Sequence, residues 1–360
     1  MSDSKKKVRI LSIDGGGIRG VIPAVILEYV EKKIAEITGN PNARIADYFD
    51  LIAGTSTGGI LTCIYLAPST DKNAGAPTAK YSAKRALNFY LENGHRIFND
   101  SKKHDWFGLR QLFNANKYYP NFLEKLLDDE FKDLKLSELL KPCIITTYNM
   151  VTKSAFFFSS TERPESKRDF YVKDVARSTS AAPTYFPPAV IRNLITDKKM
   201  VNLDGGVFAN NPAMCAYAES SSSYYQANTS IDDMLILSIG TGGGQFDLPD
   251  IMTSDKWGVL DWAKSTPEIM MDGSFDTVDY QMKQLFRKEE GNTCNYKRVD
   301  FYGEKRYAKN MAEASKPNIK LLIEAGKMAI EQANEKKSGD HTLDNFIELL
   351  VQEESKESIV

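Results

Sequence analysis

The sequence is poor in the residues that mark several common classes of protein. Its 360 residues include four cysteines, and their spacing matches no metal site and no disulfide framework. Such sparse cysteine usage fits a reducing cytosol. Lys and Arg total 46 against 48 Asp and Glu, so the chain lacks the basic excess that is typical of a protein that binds DNA or RNA.

Long apolar runs are also missing. The apolar stretch after Lys5–Lys7 ends at Asp14, which is too short for the core of a secretory signal. The stretch 49–67 is interrupted by Gly, Ser and Thr, so we expect no membrane-spanning helix. Because 42% of the residues are hydrophobic, the chain can still bury a large core. We expect a cytoplasmic protein that contacts a membrane from one side only.

Short apolar segments alternate with helical patterns along the first 250 residues. The predicted strands cover 8–13, 49–53, 142–148, 154–159, 200–203 and 234–239. A glycine turn and a helical pattern follow each of the first two strands, which predicts an α/β fold with a mostly parallel central sheet. Four of the strands end in glycine-rich segments, and sites in such sheets lie outside the carboxyl ends of the strands.

The domain organisation follows from these segments. Residues 1–7 are expected to form a tail, and 8–312 the main domain, in which 68–140 is an insertion or lid region. Residues 313–360 are expected to form a C-terminal helical segment and tail, with an amphipathic helix over 319–333.

The first glycine loop has two interpretations. Gly15, Gly17 and Gly20 match the G-x-G-x-x-G fingerprint of a dinucleotide-dependent oxidoreductase. However, Asp14 places a carboxylate where a pyrophosphate would approach, and the second predicted strand does not end in the acidic residue that binds the ribose. In the other interpretation, the backbone N–H groups of Gly15–Gly17 hold an oxyanion.

The second glycine loop predicts a nucleophile. Gly54-Thr-Ser-Thr-Gly58 is a G-x-S-x-G nucleophile elbow between a strand and a helix, which exposes the hydroxyl of Ser56. The alternative is an ordinary turn in which Ser56 caps the helix. Arg19 either braces the first loop or neutralises a charged head group.

The general base is expected to be an aspartate. The three histidines, His95, His104 and His341, lie away from the strand ends. Asp204 ends an apolar strand before Gly205-Gly206, and it could take the proton of Ser56 directly in a Ser–Asp dyad. The alternative is an aspartate that caps the turn after the strand.

Four sequence blocks resemble, in order and spacing, the patatin-like phospholipases over residues 8–245: Asp14–Gly20, Gly54–Gly58, Ser180–Pro187 and Asp204–Gly206. The resemblance implies a patatin-like three-layer α/β/α fold. It implies hydrolysis of membrane glycerophospholipids through an acyl-enzyme, without a metal or other cofactor. It also implies the following roles: Ser56 as nucleophile, Asp204 as base, Gly15, Gly16 and Gly17 in the oxyanion hole, Arg19 and Gly20 as loop support, Gly54 and Gly58 at the elbow, and Gly205 and Gly206 beside the base.

Three further stretches, 60–68, 89–98 and 117–120, are similar to the CapV-type effectors of bacterial antiphage signalling. This resemblance implies activation by a cyclic dinucleotide such as cyclic GMP-AMP, and action on the inner membrane surface. The alternative is a constitutive acyl hydrolase of general lipid metabolism. The sequence does not decide whether the chain reaches lipid by weak contacts or as a homo-oligomer.

Two segments mix cations with aromatic rings, as a cyclic dinucleotide site would require. The first contains Arg96, Trp106, Arg110, Tyr118 and Tyr119. The second spans 283–309 and includes Lys297, Arg298 and Tyr302. Each could equally be a solvated face.

Overall fold

An eight-stranded mixed sheet forms the centre of the computed structural model, which describes residues 6–69, 77–99, 119–161, 167–221, 229–242, 257–287, 294–303, 307, 311–335 and 340–355. Its strands are β1 (Val8–Ile13), β2 (Leu51–Gly54), β3 (Cys143–Asn149), β4 (Ser154–Ser159), β5 (Ala189–Arg192), β6 (Lys199–Asp204), β7 (Met234–Ile239) and β8 (Tyr296–Val299). The order is β5-β6-β3-β2-β1-β7-β8, and β4 pairs with β3. Strands β1, β2, β3, β7 and β8 are parallel, whereas β4 and β6 run antiparallel to β3.

Helices cover both faces of the sheet. They are α1 (Val21–Thr38), α2 (Thr57–Leu66), α3 (Ala83–Asn99), α4 (Asn121–Phe131), α5 (Val172–Thr179), α6 (Gly206–Ala209), α7 (Ala213–Ser220), α8 (Val259–Leu285), α9 (Lys316–Asn334) and α10 (Leu343–Ser355). Side chains alternate along β1, so Val8 and Ile10 pack towards α7 and α8 while Leu11 and Ile13 pack towards α1, α2 and α9. The predicted three-layer α/β/α fold is confirmed.

The C-terminal helices belong to the same core as the first helix. Leu322 and Ala325 of α9 are fully buried with Ile22 and Val25 of α1. Gly326 lies so close to α1 that an added Cβ would be 2.8 Å from the Val25 Cβ. The predicted helix over 319–333 is confirmed, and it packs directly on the helix that follows the first glycine loop.

Candidate active site

Ser56 lies at a strained turn between β2 and α2. Its φ of 53° and ψ of −120° are values that residues with a side chain rarely adopt. The turn is tight because a Cβ on Gly54 would overlap the Gly58 carbonyl oxygen, and one on Gly58 would overlap that of Ile13. The Ser56 N–H donates to Thr179 Oγ1 at 2.8 Å. Ser56 makes no side-chain capping bond, so the helix-cap interpretation is wrong and the geometry is that of an elbow.

The hydroxyl of Ser56 points at Asp204. Ser56 Oγ donates to Asp204 Oδ2 at 2.6 Å, and the Gly206 N–H donates to Asp204 Oδ1 at 2.7 Å. Asp204 is 1% exposed. Burial raises the pKa of Asp204 to about 7, against the opposing effect of the hydrogen bonds from Ser56 and Gly206. In the described part of the chain no cation is paired with this carboxylate.

The C-terminal ends of β2 and β6 face each other, and this brings Ser56 and Asp204 together. Both pair with the same edge of β3, since Gly54 pairs with Ile145 and Asp204 with Thr147, while β4 covers the other edge. Asp204 therefore arrives from the direction opposite to Ser56. The expectation that all four glycine-rich strand ends share one carboxyl edge is wrong for β6, because β6 is antiparallel.

The first glycine loop lies against Ser56, but it offers fewer donors than expected. A Cβ on Gly15 would be 3.2 Å from the Ser56 Cβ. The Gly15 N–H already donates to the Asn210 carbonyl at 3.0 Å, so the assignment of Gly15 as an oxyanion donor is wrong. For Gly16 and Gly17, no acceptor of the N–H is found among the described residues. These two groups are the free donors of the loop.

Neighbouring segments hold the loop in place. Thr241 Oγ1 donates to the Gly15 carbonyl at 2.7 Å, and a Cβ on Gly16 would be 2.5 Å from the same hydroxyl oxygen. Gly17 has a φ of 58°, and a Cβ there would overlap the Met311 carbonyl oxygen. Arg19 is buried and donates to the Gly242 carbonyl at 3.3 Å. Of its two interpretations, the structure favours bracing of the loop.

Gly20 and Gly205 are required by close packing. A Cβ on Gly20 would overlap Thr57 Oγ1, and one on Gly205 would overlap Thr146 Oγ1. Thr146 stands opposite the gap between β2 and β6, where its hydroxyl lies 2.7 Å from Thr55 Oγ1. These glycines let the elbow, the base and the first helix approach one another.

The carboxylate of Asp14 is buried and paired. Asp14 Oδ2 lies 2.5 Å from Arg298, whose guanidinium also lies 2.9 Å from Asp300. Asp300 in turn accepts from the Gly242 N–H at 2.8 Å. The electrostatic objection to a dinucleotide at the glycine loop is reduced but not removed, since the single cation of Arg298 is shared by two carboxylates. The absence of the ribose-binding acid and the contact between Ser56 and Asp204 still disfavour that interpretation.

The other candidate residues that the structure describes do not line the cavities at Ser56 and Asp204. His95 is exposed on α3, and His341 packs edge-to-face against Phe346; His104 is outside the described residues. Arg96 and Tyr119 are exposed. The remaining residues of the first activator segment, Trp106, Arg110 and Tyr118, are outside the described residues.

Two cations of the second activator segment, Lys297 and Arg298, are engaged in ion pairs. Lys297 is paired with Asp340 at 2.9 Å, and Arg298 is held by Asp14 and Asp300. The side chains of Lys297 and Arg298 are only 6% and 4% exposed. The expectation that these two residues bind a phosphate is wrong, because each side chain is largely buried and forms an ion pair with a carboxylate.

Two apolar cavities flank the pair of Ser56 and Asp204. A narrow cavity of about 40 Å³ contains Ser56 in its wall and extends between α2, α3 and α4. A wider cavity of about 370 Å³ contains Asp204 in its wall and extends to α8. The described part of the 68–140 region thus supplies one wall of the narrow cavity.

The described residues contain neither a metal-binding cluster nor a membrane-spanning helix. No cluster of three or more His, Cys, Asp or Glu is placed to hold a metal ion among them. Within the same residues, none of the helices is both long and apolar enough to span a bilayer.

Comparison with known proteins identifies the family. Residues 11–217 match the model of the patatin-like phospholipases. Patatin-like protein 2 of Arabidopsis thaliana is 36% identical over 347 residues, covering 89% of this chain and 82% of its own length. Patatin-2-Kuras 4 of Solanum tuberosum is 32% identical over 360 residues, covering 95% and 92%. Patatin-like protein 2 of Oryza sativa subsp. indica is 31% identical over 352 residues, covering 91% and 84%. The chain belongs to the patatin-like phospholipase family of lipid acyl hydrolases.

Proposed function

We propose that this chain is a serine lipid acyl hydrolase that uses Ser56 as nucleophile and Asp204 as general base. The observation that carries the proposal is the 2.6 Å hydrogen bond from Ser56 Oγ to a buried carboxylate. A base works best when its pKa lies near the working pH, and the pKa of Asp204 is raised to about 7 by burial. The rate constant kcat/KM should therefore rise with pH to a plateau above about 7.

The reaction proceeds through an acyl-enzyme. Ser56 Oγ attacks the ester carbonyl carbon while its proton moves to Asp204 Oδ2, and the N–H groups of Gly16 and Gly17 stabilise the oxyanion. The C–O bond to the alcohol then breaks, and Asp204 returns the proton to the leaving alkoxide. Water next attacks the acyl-enzyme with Asp204 as base, which releases the fatty acid and restores Ser56.

The test is fatty-acid release from phospholipid vesicles, with Ser56→Ala as the matched control. We expect release by the wild-type protein, and a loss of about 10³-fold or more in the variant. A fluorophosphonate probe should label the wild-type protein but not the variant. Equal release by both proteins would contradict the proposal.

Activation by a cyclic dinucleotide, and action at the inner membrane surface in antiphage defence, stay predictions of the closer resemblance. Arg96 supports them weakly: its guanidinium lies 4.0 Å from the Phe122 ring centroid, and it is exposed. Adding a panel of cyclic dinucleotides to the vesicle assay distinguishes the two alternatives. Release that needs one dinucleotide would support the switch, and equal release without any would support the constitutive hydrolase.

A further inference from the structure

The two cavities beside the dyad are separate chambers with different surroundings. The narrow one is lined by Ser56, Gly17 and buried apolar side chains, among them Ile97 and Leu123. The wide one is lined by Asp204 together with residues of α6 and α8. The residues that belong to both linings are Ala182, Tyr185 and Met311. These shared residues mark the boundary, called the partition below, between the cavity at Ser56 and the cavity at Asp204.

The chemistry of the proposed reaction assigns one part of the ester to each chamber. The acyl group stays bonded to Ser56 after the alcohol leaves, so its chain must extend on the nucleophile side. The leaving oxygen must receive its proton from Asp204, so the alcohol must lie on the base side. The oxyanion occupies the third direction, towards Gly16 and Gly17.

Burial supports the same assignment. Ile97 and Leu123 in the narrow chamber are 4% and 2% exposed, which suits a chain that ends in a methyl group. The wide chamber reaches Met270, which is 51% exposed. A glycerolipid alcohol carries a head group that must remain in contact with water, and the exposed Met270 places such an opening at the wide chamber.

We propose that Ile97 and Leu123 determine which acyl chains are accepted, and that Val207 and Met270 determine which alcohol is released. This inference rests on the proposed hydrolysis by Ser56 and Asp204. It predicts that the two halves of an ester are selected independently, since the partition separates the two sets of residues.

The experiment uses two series of esters. In the first, p-nitrophenyl esters carry acyl chains from two to twelve carbons; in the second, butyrate is esterified with alcohols of one to ten carbons, and acid release is titrated. Ile97→Trp should lower kcat/KM roughly tenfold for long acyl chains relative to the acetate ester, without changing the alcohol series. Val207→Trp should do the reverse. Ile97→Ala, which enlarges the narrow chamber, should shift the acyl preference towards longer chains.

Hydrolysis of p-nitrophenyl acetate reports whether the Ile97 variants are folded, because it carries the shortest acyl group of its series. Hydrolysis of methyl butyrate does the same for Val207→Trp, because it carries the shortest alcohol. If Ile97→Trp altered the alcohol series and Val207→Trp the acyl series, the assignment would be reversed. If each variant altered both series equally, the chambers would be one undivided site. A wild-type protein that hydrolyses no ester would instead refute the proposed function itself, so the two failures are distinguishable.

Discussion

Asp14 and Asp204 are alike in sequence and differ in surroundings. Each is followed by two glycines, each is 1% exposed, and burial raises the pKa of each to about 7. Arg298 contacts Asp14 at 2.5 Å and opposes that rise. Among the described residues, Asp204 has only the Ser56 hydroxyl and the Gly206 N–H as hydrogen-bond partners.

The two aspartates differ in the group that each contacts, more than in burial. A buried carboxylate beside a guanidinium is held as one half of an ion pair, so a proton would have to displace that interaction. A buried carboxylate beside a hydroxyl is a base with its proton donor already in place. This contrast supports the proposal that Asp204 is the base, and it assigns to Asp14 a supporting role at the glycine loop.

The most direct test of the difference between Asp14 and Asp204 is to replace each of them by Asn. Asp204→Asn should lower kcat/KM by about 10³-fold or more, as Ser56→Ala does, because the base is lost. Asp14→Asn should lower it by only about tenfold, through a displaced glycine loop. Ester hydrolysis by the purified variants measures both. Equal losses at the two positions would show that Asp14 also takes part in the reaction.

The ion pair of Asp14 can also be removed by replacing its cation, Arg298. Arg298→Met leaves Asp14 and Asp300 buried without their cation, and we expect the free energy of unfolding to fall by about 3–5 kcal/mol. Lys173→Met is the control, because the Asp128 carboxylate that Lys173 contacts at 2.7 Å is 62% exposed; it should cost less than about 1 kcal/mol. Urea unfolding measures both, and similar small costs would contradict the structural role of Arg298.

The sequence predicted the parts of this site that depend on local pattern. The G-x-S-x-G elbow and the first glycine loop are each a strand, a turn and a helix, so spacing alone locates Ser56 and Gly16. The fold class follows from the same alternation, and six strands were found close to their observed bounds.

The rest depends on long-range pairing, which leaves little local signal. Asp204 lies beside Ser56 because β6 enters antiparallel, head to head with β2, and no periodicity shows strand direction. Arg298 comes from β8, a strand of only four residues in a charged segment, and its partner is 284 positions away. Three residues that hold the site by hydrogen bonds lie in or next to the glycine- or alanine-rich sequence blocks: Thr179, Asn210 and Thr241. The composition of those blocks does not predict these hydrogen bonds.

The glycine loop begins next to Asp14 and lies against Ser56, so it provides a further test of the two roles. Gly16→Ala places a Cβ 2.5 Å from Thr241 Oγ1, which should displace the free N–H donors and lower kcat by about 10²-fold with little change in KM. The control is Gly273→Ala in α8, where a Cβ meets nothing within 4 Å. Steady-state kinetics of both variants measure the effect. A Gly16→Ala protein with the kcat of the wild type would show that the loop does not stabilise the oxyanion.

The dependence of stability on pH should be alike at the two aspartates, whereas the stability at any one pH should differ. An ordinary aspartate has a pKa of about 3.9, and burial raises the pKa of Asp204 to about 7. Between these values the folded protein holds a proton that the unfolded chain releases, so stability falls as pH rises to about 7 and is level above it. Asp204→Asn removes this fall, and should gain about 2 kcal/mol on the wild-type protein between pH 5 and pH 8.

Asp14→Asn should show a gain of the same size between pH 5 and pH 8, because the pKa of about 7 for Asp14 already includes the effect of Arg298. At each pH, however, the Asp14→Asn protein should be the less stable of the two variants, since it has lost the ion pair with Arg298. Thermal unfolding of the wild-type protein and both variants at pH 5 and pH 8 measures the difference. A gain at Asp204 alone would mean that Arg298 holds Asp14 in its charged form, with a pKa well below 7. A gain at Asp204 would show that the residue proposed as the base is maintained at a cost in stability, as expected of a group selected for reactivity.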